Sequence, residues 1–317
     1  MTSPPEVGKL AAIPVAKIRP NPDNPRLTFR QGELEELQES IRQYGIQVPI
    51  SVFKRGAEFV LIDGERRWRS ASKLNLKEIP ALIQPEPTPL SNLLLMFNIH
   101  ALREQWDLLT IALKLPTVVR LLTKTLGRPP REVELARKTG LSRSVIRRCR
   151  LLMNLPREYK NLLLTELKKP KSKQELSEDL FIEIEKALST VVRSMPDVVP
   201  DKAKARDALL AKYRADVIDN VVEFRKIAKI ARAPTVGVSS SVSQQALSRL
   251  FKDPKYSITQ AWQDTAAEAY AEHDIVSRIE ALLARLSELG GASLDDDTRE
   301  SLHKLVAKIL AILGTNE

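Results

Sequence analysis

A charged turn between a predicted strand and a predicted helix carries the clearest chemistry in this 317-residue sequence. The strand at residues 59–62 runs through Asp63 into Gly64-Glu65-Arg66-Arg67-Trp68-Arg69, where a helix is expected to begin. Helix N-termini present unpaired N–H groups, and arginine adds forked donors that match phosphate oxygens. The turn therefore predicts a phosphate-binding site. The alternative is a surface turn whose arginines are solvated or paired with Glu65.

A second group of residues is typical of DNA recognition. Residues 131–139 and a helix capped by Ser142 flank Gly140, and two short helices about a glycine turn form a helix-turn-helix. The first residues of the second helix face base edges in this motif. The candidate DNA-binding residues are Ser142, Arg143, Ser144, Arg147 and Arg148, with Lys168, Lys169 and Lys171 expected on the phosphate backbone. A helical hairpin in an ordinary bundle would explain the apolar positions, but not the five basic residues from Arg137 to Arg148.

The distribution of charge supports the DNA-binding interpretation. The chain has a net charge of +10, and residues 114–173 hold 17 Lys and Arg against 4 Asp and Glu, so this window carries +13 and the rest −3. Solvated helix faces are usually of mixed sign, and a localised basic patch favours a polyanionic partner. Double-stranded DNA is therefore the expected partner.

Other chemistries find little support in the sequence. The single cysteine, Cys149, cannot form an internal disulfide, and the three histidines are too scattered for a metal site or a catalytic triad. Asp63 and Glu65 could hold a divalent ion for hydrolysis, but no third acidic residue lies nearby in the sequence, so a nuclease is not favoured. No signal peptide or membrane span is predicted, and a cytoplasmic location is expected.

The elements that would position these residues suggest four segments. Residues 1–12 are predicted to be disordered, 13–89 to form a small α+β domain, 90–173 a helical helix-turn-helix domain, and 174–317 a helical C-terminal region. The α+β domain should contain a strand at 13–18, a helix ending at Gly45, a hairpin at 49–62, the motif helix and a strand at 78–83. A proline-rich linker is expected at residues 85–89.

The C-terminal region is predicted to be wholly helical. The pattern indicates helices at 174–193, 201–231, 241–251, 259–289 and 298–313, with a flexible joint at 233–241. The last two helices are amphipathic and lie on either side of Gly290-Gly291, so they could pack as a hairpin on a second copy of the chain. We therefore expect a homodimer, with an intramolecular bundle as the alternative.

The order of these parts resembles the ParB family of chromosome and plasmid partition proteins. The resemblance runs from about residue 13 to 156 and is carried by these segments: Ile18-Arg19-Pro20-Asn21-Pro22, Asn24-Pro25-Arg26, Gly45-Ile46, Pro49-Ile50, the Gly64–Arg69 turn, Leu135-Ala136, Ser142-Arg143-Ser144 and Leu151-Leu152. It implies a ParB/sulfiredoxin-like N-terminal domain, followed by the all-α helix-turn-helix domain and the helical C-terminal region. It also implies nucleoid or plasmid association and a partition ATPase as a partner.

The same resemblance implies that the N-terminal domain binds CTP with magnesium, and that the nucleotide controls closure of a dimeric clamp around DNA. The residues it assigns to the nucleotide are Gly45, Ile46, Pro49, Gly64, Glu65, Arg66, Arg67 and Asn98, with Asn98 also near the metal. The family has Gln where Val48 stands, Glu where Phe97 stands, and Gln-Arg where His100-Ala101 stands. Because a phenyl ring offers no oxygen ligand to magnesium, Phe97 weakens the expectation of CTP hydrolysis but not of nucleotide binding.

The favoured interpretation is a partition-type or regulatory DNA-binding protein. Two alternatives remain open at this point: a nuclease or nucleotide hydrolase built on the N-terminal domain, and a transcription regulator that needs no nucleotide. The sulfiredoxin activity of the shared fold is set aside, because that activity needs a cysteine in the loop formed by residues 64–67.

Overall fold

The N-terminal part of the chain forms one mixed five-stranded sheet with two helices. The computed structural model describes residues 8–24, 29, 31–101, 107–289 and 294–314. The sheet has the order β1-β5-β3-β4-β2, in which β1/β5 and β3/β4 are antiparallel and β5/β3 and β4/β2 are parallel. The elements are β1 (Lys9–Pro14), β2 (Ile18–Arg19), α1 (Gln31–Tyr44), β3 (Ile50–Arg55), β4 (Glu58–Asp63), α2 (Glu65–Lys73) and β5 (Glu78–Gln84).

Apolar residues of the central strands form the core of this sheet. Ile50 and Val52 of β3 and Leu61 of β4 are almost fully buried, together with Ala71 of α2. Val60 and Ile62 lie on the opposite face of β4 with Phe53, in a separate small cluster. Because successive strand residues point to opposite faces, β4 is buried on both sides and is held rigidly where it delivers Asp63 and Gly64 to the motif turn.

The helix α3 (Pro89–Ala101) joins the sheet to the helical region. Leu95 and Ile99 pack on the Phe53 cluster of the sheet, whereas Leu93 and Phe97 belong to the large core of the helical region. The proline-rich linker predicted at residues 85–89 is thus short, and the helix that follows it contacts both units. A movement of the sheet relative to α3 would have to break apolar contacts on this helix.

Helices make up the rest of the described chain. They are α4 (Leu108–Leu126), α5 (Glu132–Thr139), α6 (Arg143–Met153), α7 (Arg157–Lys168), α8 (Glu178–Ser194), α9 (Lys202–Arg214), α10 (Phe224–Arg232), α11 (Ser240–Lys252), α12 (Ile258–Gln263), α13 (Ala267–Leu289) and α14 (Asp296–Leu313). One hydrophobic core runs from Leu93 to Ala266, and α6 packs directly on α8. The core is therefore continuous across residue 173, where the sequence suggested a domain boundary.

Several predicted boundaries need correction. The first strand begins at Lys9 instead of residue 13, since Lys9–Pro14 pairs with β5; of the tail predicted to be disordered, residues 1–7 lie outside the described residues. The helix predicted at 201–231 is two helices, because Asp216 has a positive φ of 53° and Asn220 caps a 3-10 turn. Similarly, the helix predicted at 259–289 is interrupted after Gln263.

Two further predictions concern the ends of the C-terminal helices. The segment 233–241 is not a flexible joint, because it contains a 3-10 helix at Ala233–Val236 whose first residue is fully buried. Asp295 caps α14 by accepting a hydrogen bond from the Thr298 N–H at 2.6 Å. The Gly290-Gly291 break lies outside the described residues. No helix in the described part of the chain is long and apolar enough to cross a membrane.

Candidate nucleic-acid interface and nucleotide-binding motif

Gly64 makes the sharp turn from β4 into α2. Its φ is +95°, a conformation that residues with a side chain rarely adopt, and a Cβ at this position would lie 2.6 Å from Ile50 Cγ2. The carbonyl of Gly64 accepts the first helical hydrogen bond, from the Trp68 N–H at 3.0 Å. No side chain caps the first turn of α2, and binding of an anionic ligand by its backbone N–H groups stays a prediction.

Arg67 joins the motif to the loop before β3. Its Nη1 donates to the carbonyls of Val48 and Pro49, both at 2.6 Å, and its Nη2 donates to Asp63 Oδ2 at 3.0 Å. The side chain is only 16% exposed. Arg67 therefore positions the loop that contains two of the predicted nucleotide segments, and its role as a phosphate ligand stays a prediction.

The other charged residues of the motif are also paired. Arg66 is about one-third exposed and donates to the Glu33 carbonyl at 3.0 Å, with the Glu33 carboxylate 3.5 Å away. Glu65 is nearly buried and accepts from Asn24 Nδ2 and Arg69 Nη2, each at 2.6 Å. The two carboxylates considered for metal-dependent hydrolysis, Asp63 and Glu65, are thus both engaged by side-chain donors.

The predicted segment at Gly45 and Ile46 lies at the end of α1. Gly45 has a φ of +71°, and its N–H donates to the Ile41 carbonyl at 2.9 Å, which ends the helix. Ile46 packs against the core of the sheet. The structure therefore brings residues 45–49 and the Gly64 turn together, and Arg67 provides the connection.

Phe97 and Asn98 lie on α3, and both make contacts within the helical region. Phe97 is fully buried in the core of the helical region. Asn98 Nδ2 donates to the Leu94 carbonyl at 2.8 Å and to the Lys138 carbonyl at 3.1 Å, so its amide is bound to the turn of the helix-turn-helix. Nowhere among the described residues do three or more His, Cys, Asp or Glu side chains gather in a way that could hold a metal ion. Phe97 therefore offers no oxygen ligand to magnesium, and a role for Asn98 at the metal stays a prediction.

The helix-turn-helix is present as predicted. Gly140 has a φ of +73° and ends α5, and Ser142 caps α6 by accepting a hydrogen bond from the Val145 N–H at 3.2 Å. The apolar sides of the two helices form a common core, to which these buried residues contribute: Leu135, Ile146, Cys149 and Leu152. Burial raises the pKa of the Cys149 thiol to about 12, so this cysteine is a packing residue and not a nucleophile.

Three arginines form one exposed row along α6. Arg143, Arg147 and Arg150 are spaced at i, i+4 and i+7 and are each more than half exposed. All three contact the carboxylate of Glu132 at the start of α5, with shortest N–O distances of 2.9, 3.0 and 3.4 Å. Hydrogen bonds from Arg143 and Arg147 lower the pKa of Glu132 below its ordinary value. We call these arginines the arginine row.

The remaining DNA-binding candidates occupy different surroundings. Ser144 is exposed on the first turn of α6, whereas Arg148 is turned toward α8 and forms an ion pair with Asp179. Lys169 Nζ donates a hydrogen bond to the nearly buried Glu166 carboxylate at 2.5 Å, and this bond raises the pKa of Lys169. Lys168 and Lys171 are exposed. Only part of the predicted set is thus free to meet a phosphate backbone without losing an ion pair.

Sequence reasoning missed two members of this surface, Arg150 and Glu132. The i, i+4, i+7 spacing on a predicted helix was a sufficient signal for Arg150. Glu132 lies on the other helix, 11 residues before Arg143, and its contact with all three arginines depends on how the two helices cross. No local pattern in the sequence reports that crossing.

The described residues thus combine a mixed five-stranded sheet with a helix-turn-helix whose second helix is exposed on one side. Residues 2–96 match the family model of the ParB N-terminal domain. Residues 2–96 of this chain therefore carry a ParB N-terminal domain, which confirms the predicted resemblance for this part of the chain.

Two relatives match about half of this chain. The chain is 30% identical over 163 residues to the chromosome-partitioning protein ParB of Caulobacter vibrioides, covering 50% of this chain and 51% of that protein. It is 32% identical over 158 residues to the nucleoid occlusion protein of Bacillus cereus, covering 49% and 52%. These alignments thus span about half the length of each relative.

Solved structures with similar parts include C-terminally truncated ParB from Caulobacter crescentus. The structure in complex with CTP-gamma-S is 27% identical to this chain in sequence. The match covers 56% of this chain and 93% of that chain, with a TM-score of 0.30. In complex with the centromeric parS site the identity is 27%, the coverage is 57% and 90%, and the TM-score is 0.38.

Proposed function

We propose that this protein binds double-stranded DNA through α6 and acts in chromosome or plasmid partition or in a related regulatory process. The observation that carries the proposal is the arginine row, which stands exposed on the second helix of a well-formed helix-turn-helix. Similarity to partition and nucleoid-occlusion proteins over about half of the chain supports the proposal. Nucleoid or plasmid association would follow from DNA binding, and a partition ATPase as partner stays a prediction.

The chemistry of the row suits base recognition. An arginine can donate two hydrogen bonds to guanine O6 and N7 in the major groove, and Arg143 and Arg147 lie in the first turns, which enter the groove in this motif. Ser142 and Ser144 flank Arg143 and can serve a phosphate or a base edge. The Glu132 carboxylate holds the guanidinium groups over one side of α6. DNA would replace these ion pairs with contacts to bases and phosphates.

Recovery of genomic fragments tests the proposal. Sheared genomic DNA is passed over immobilised wild-type protein and over the Arg143→Ala/Arg147→Ala variant, and the retained fragments are sequenced. We expect the wild type to enrich discrete loci and the variant to lose that enrichment while keeping the wild-type circular dichroism spectrum. Equal recovery of all loci by both proteins would contradict sequence-specific binding by α6.

For the N-terminal domain, we propose nucleotide binding at the Gly64 turn, with CTP as the candidate. The supporting features are the uncapped N-terminus of α2, the tight glycine turn and the partly exposed Arg66. The loop at residues 45–49 is held beside them by Arg67. Magnesium coordination by Asn98 and CTP hydrolysis are not included, because Asn98 is bound to the helix-turn-helix and Phe97 is buried.

Isothermal titration with CTP, ATP and GTP, with and without DNA, tests nucleotide binding. Arg66→Gln should weaken binding of the preferred nucleotide, and Arg42→Gln serves as the matched control because Arg42 also has one acidic partner, Glu39, on the exposed surface of α1. A silent titration with all three nucleotides would contradict the proposal. It would leave a DNA-binding regulator that needs no nucleotide.

We also propose that α13 and α14 form a homodimer interface. Both helices expose large apolar side chains, including Ile275 and Ile279 on α13 and Val306 and Ile309 on α14, which are between 40% and 58% exposed. Exposed apolar rows of this kind mark association surfaces. Light scattering should report a dimer for the wild type and a monomer for Ile279→Asp/Ile309→Asp. A monomeric wild type at micromolar concentration would contradict the proposal.

A further inference from the structure

A basic groove lies between α8 and α10, outside the helix-turn-helix. Its volume is about 550 Å³, and one wall includes Leu151 of α6. Leu151 follows Arg147 by four residues, one helical turn, and therefore lies on the flank of α6 next to the arginine row. The groove is thus contiguous with the helix for which we propose DNA recognition.

Five cationic side chains line this groove. Arg225, Lys229 and Arg232 follow one face of α10 at i, i+4 and i+7, and Lys186 and Arg193 lie two turns apart on α8. One carboxylate, Glu183, also lines it, so the lining has a net charge of +4. Seven residues of helix span about 10 Å, so each helix presents its cations over that length.

The acidic residue neutralises only part of this charge. Glu183 accepts from Lys186 at 2.8 Å and from Arg225 at 3.1 Å. Arg193 and Arg232 form no ion pair with any acidic side chain of the described residues. Lys229 lies over the rings of Trp262 and Tyr270, 5.5 Å from each centroid, which holds its ammonium group beside the groove. Two guanidinium groups are therefore available for an external anion.

The exposure of the cations indicates what kind of anion fits. All five are exposed and stand along the walls, whereas the apolar lining residues, such as Phe224 and Ala187, are buried below them. A small ligand is usually enclosed by its site, but a polyanion that runs along a surface meets charges spaced along helices. Arginine matches phosphate oxygens with two parallel hydrogen bonds.

We propose that this groove binds the phosphate backbone of the duplex beside the segment that α6 contacts. The proposal rests on the proposed function, because it requires DNA on α6. The groove would then add DNA affinity that does not depend on sequence, since phosphate contacts position a protein on the duplex but do not read its bases. It also places DNA contacts on α8 and α10, beyond the helix-turn-helix.

The test measures how DNA affinity depends on salt. Arg193→Gln/Arg232→Gln removes two charges without breaking an ion pair, and Lys54→Gln/Lys73→Gln removes the same charge from exposed positions on the sheet domain. Fluorescence anisotropy is recorded over a range of salt concentrations with two duplexes: one trimmed to the bound site, and one with flanking sequence. Thermal melting confirms that each variant is folded, and single Arg193→Gln and Arg232→Gln variants replace the double variant if it is not.

We expect the groove variant to reduce the slope of log affinity against log salt by about 2 on the longer duplex, roughly one unit per lost phosphate contact. The loss of affinity should be equal for all DNA sequences, and it should be smaller on the trimmed duplex than on the longer one. If the groove variant matches the wild type, or if the control variant loses as much, the inference fails while Arg143→Ala/Arg147→Ala still reports on α6. If the wild type binds no duplex, the proposed function fails as well.

Discussion

The Glu132 carboxylate accepts a hydrogen bond from Arg147 Nε at 3.1 Å and forms an ion pair with Nη2 at 3.0 Å, and so connects the two helices of the helix-turn-helix at their exposed surface. The same carboxylate contacts Arg143 and Arg150. Long arginine side chains lose conformational freedom when they bind DNA, and an ion pair that already orders them reduces that cost. A negative charge beside them also repels phosphate groups.

The first prediction concerns Glu132→Gln. Removing the charge should tighten binding to non-specific DNA by about two- to fivefold, because a surface carboxylate opposes phosphate only modestly. Binding to the specific site should improve less, because the arginines are less ordered. Competition titrations with specific and scrambled duplexes measure both affinities. Glu272→Gln on α13 is the control of equal charge, and an equal gain for both variants would show that net charge alone is responsible.

A second prediction concerns the contact between Gly140 and Asn98. A Cβ on Gly140 would lie 2.7 Å from Asn98 Oδ1, whereas Gly127 has a similar φ of +70° and no atom within 4 Å of such a Cβ. Both glycine-to-alanine changes should lower the free energy of unfolding by about 1–2 kcal/mol, because a residue with a Cβ is less stable than glycine in the left-handed conformation. Gly140→Ala should cost roughly 1 kcal/mol more, because Asn98 must give up hydrogen bonds to Leu94 and Lys138.

Urea denaturation measures these changes. Combining Gly140→Ala with Asn98→Ala should remove the extra cost, since the alanine side chain leaves room for the new methyl group. Equal losses for Gly127→Ala and Gly140→Ala in the wild-type background would show that Asn98 does not press against the turn.

The third prediction separates Arg147 from Arg148. Arg147 belongs to the arginine row, while Arg148 forms its ion pair with Asp179 on α8. Arg147→Ala should weaken the free energy of binding to the specific site by about 1–3 kcal/mol and should relax the base preference at one base pair. Arg148→Ala should lower the affinity for all DNA sequences by the same factor, and so should Lys171→Ala. Titrations against duplexes with single base-pair changes distinguish the two patterns, and a base-specific loss for Arg148→Ala would place that side chain in the groove instead.

The fourth prediction is that low pH removes the stabilisation that the Arg128–Glu134 ion pair gives to the start of α5. The hydrogen bond from Arg128 lowers the pKa of Glu134 from 4.5 to about 2, and the Arg131 N–H contributes as well. A lowered pKa in the folded state means that the stabilisation is complete above about pH 4.5 and is lost as the pH falls toward 2. The stability difference between the wild type and Glu134→Gln should therefore shrink over this range. Denaturation at a series of pH values measures it, and a constant difference would be inconsistent with the ion pair.

The sequence predicts the parts of this fold that local chemistry determines. The glycine turn at Gly64, the cap at Ser142 and the spacing of the helix-turn-helix are all short-range features, and the structure has them in place. The direction of side chains over long distances was not accessible. Arg67 turns inward to Val48 and Pro49, and Asn98 reaches Lys138 forty residues away. These contacts depend on the packing of α2 and α3, which periodicity does not encode.

The basic groove illustrates the same limit. Its cations come from α8 and α10, where the charge along the chain is mixed and gives no local signal. Only the antiparallel or crossed packing of two helices can place such residues on facing walls, and the sequence pattern fixes the apolar face of each helix without fixing its partner.

The central claim is that the arginine row reads DNA. The most direct measurement is the ratio of affinities for a recovered genomic site and a scrambled duplex, for the wild type and for Arg143→Ala/Arg147→Ala, at one fixed salt concentration. We expect a wild-type ratio of about 10³ or more, reduced at least tenfold in the variant. A variant that keeps the wild-type ratio would contradict the account.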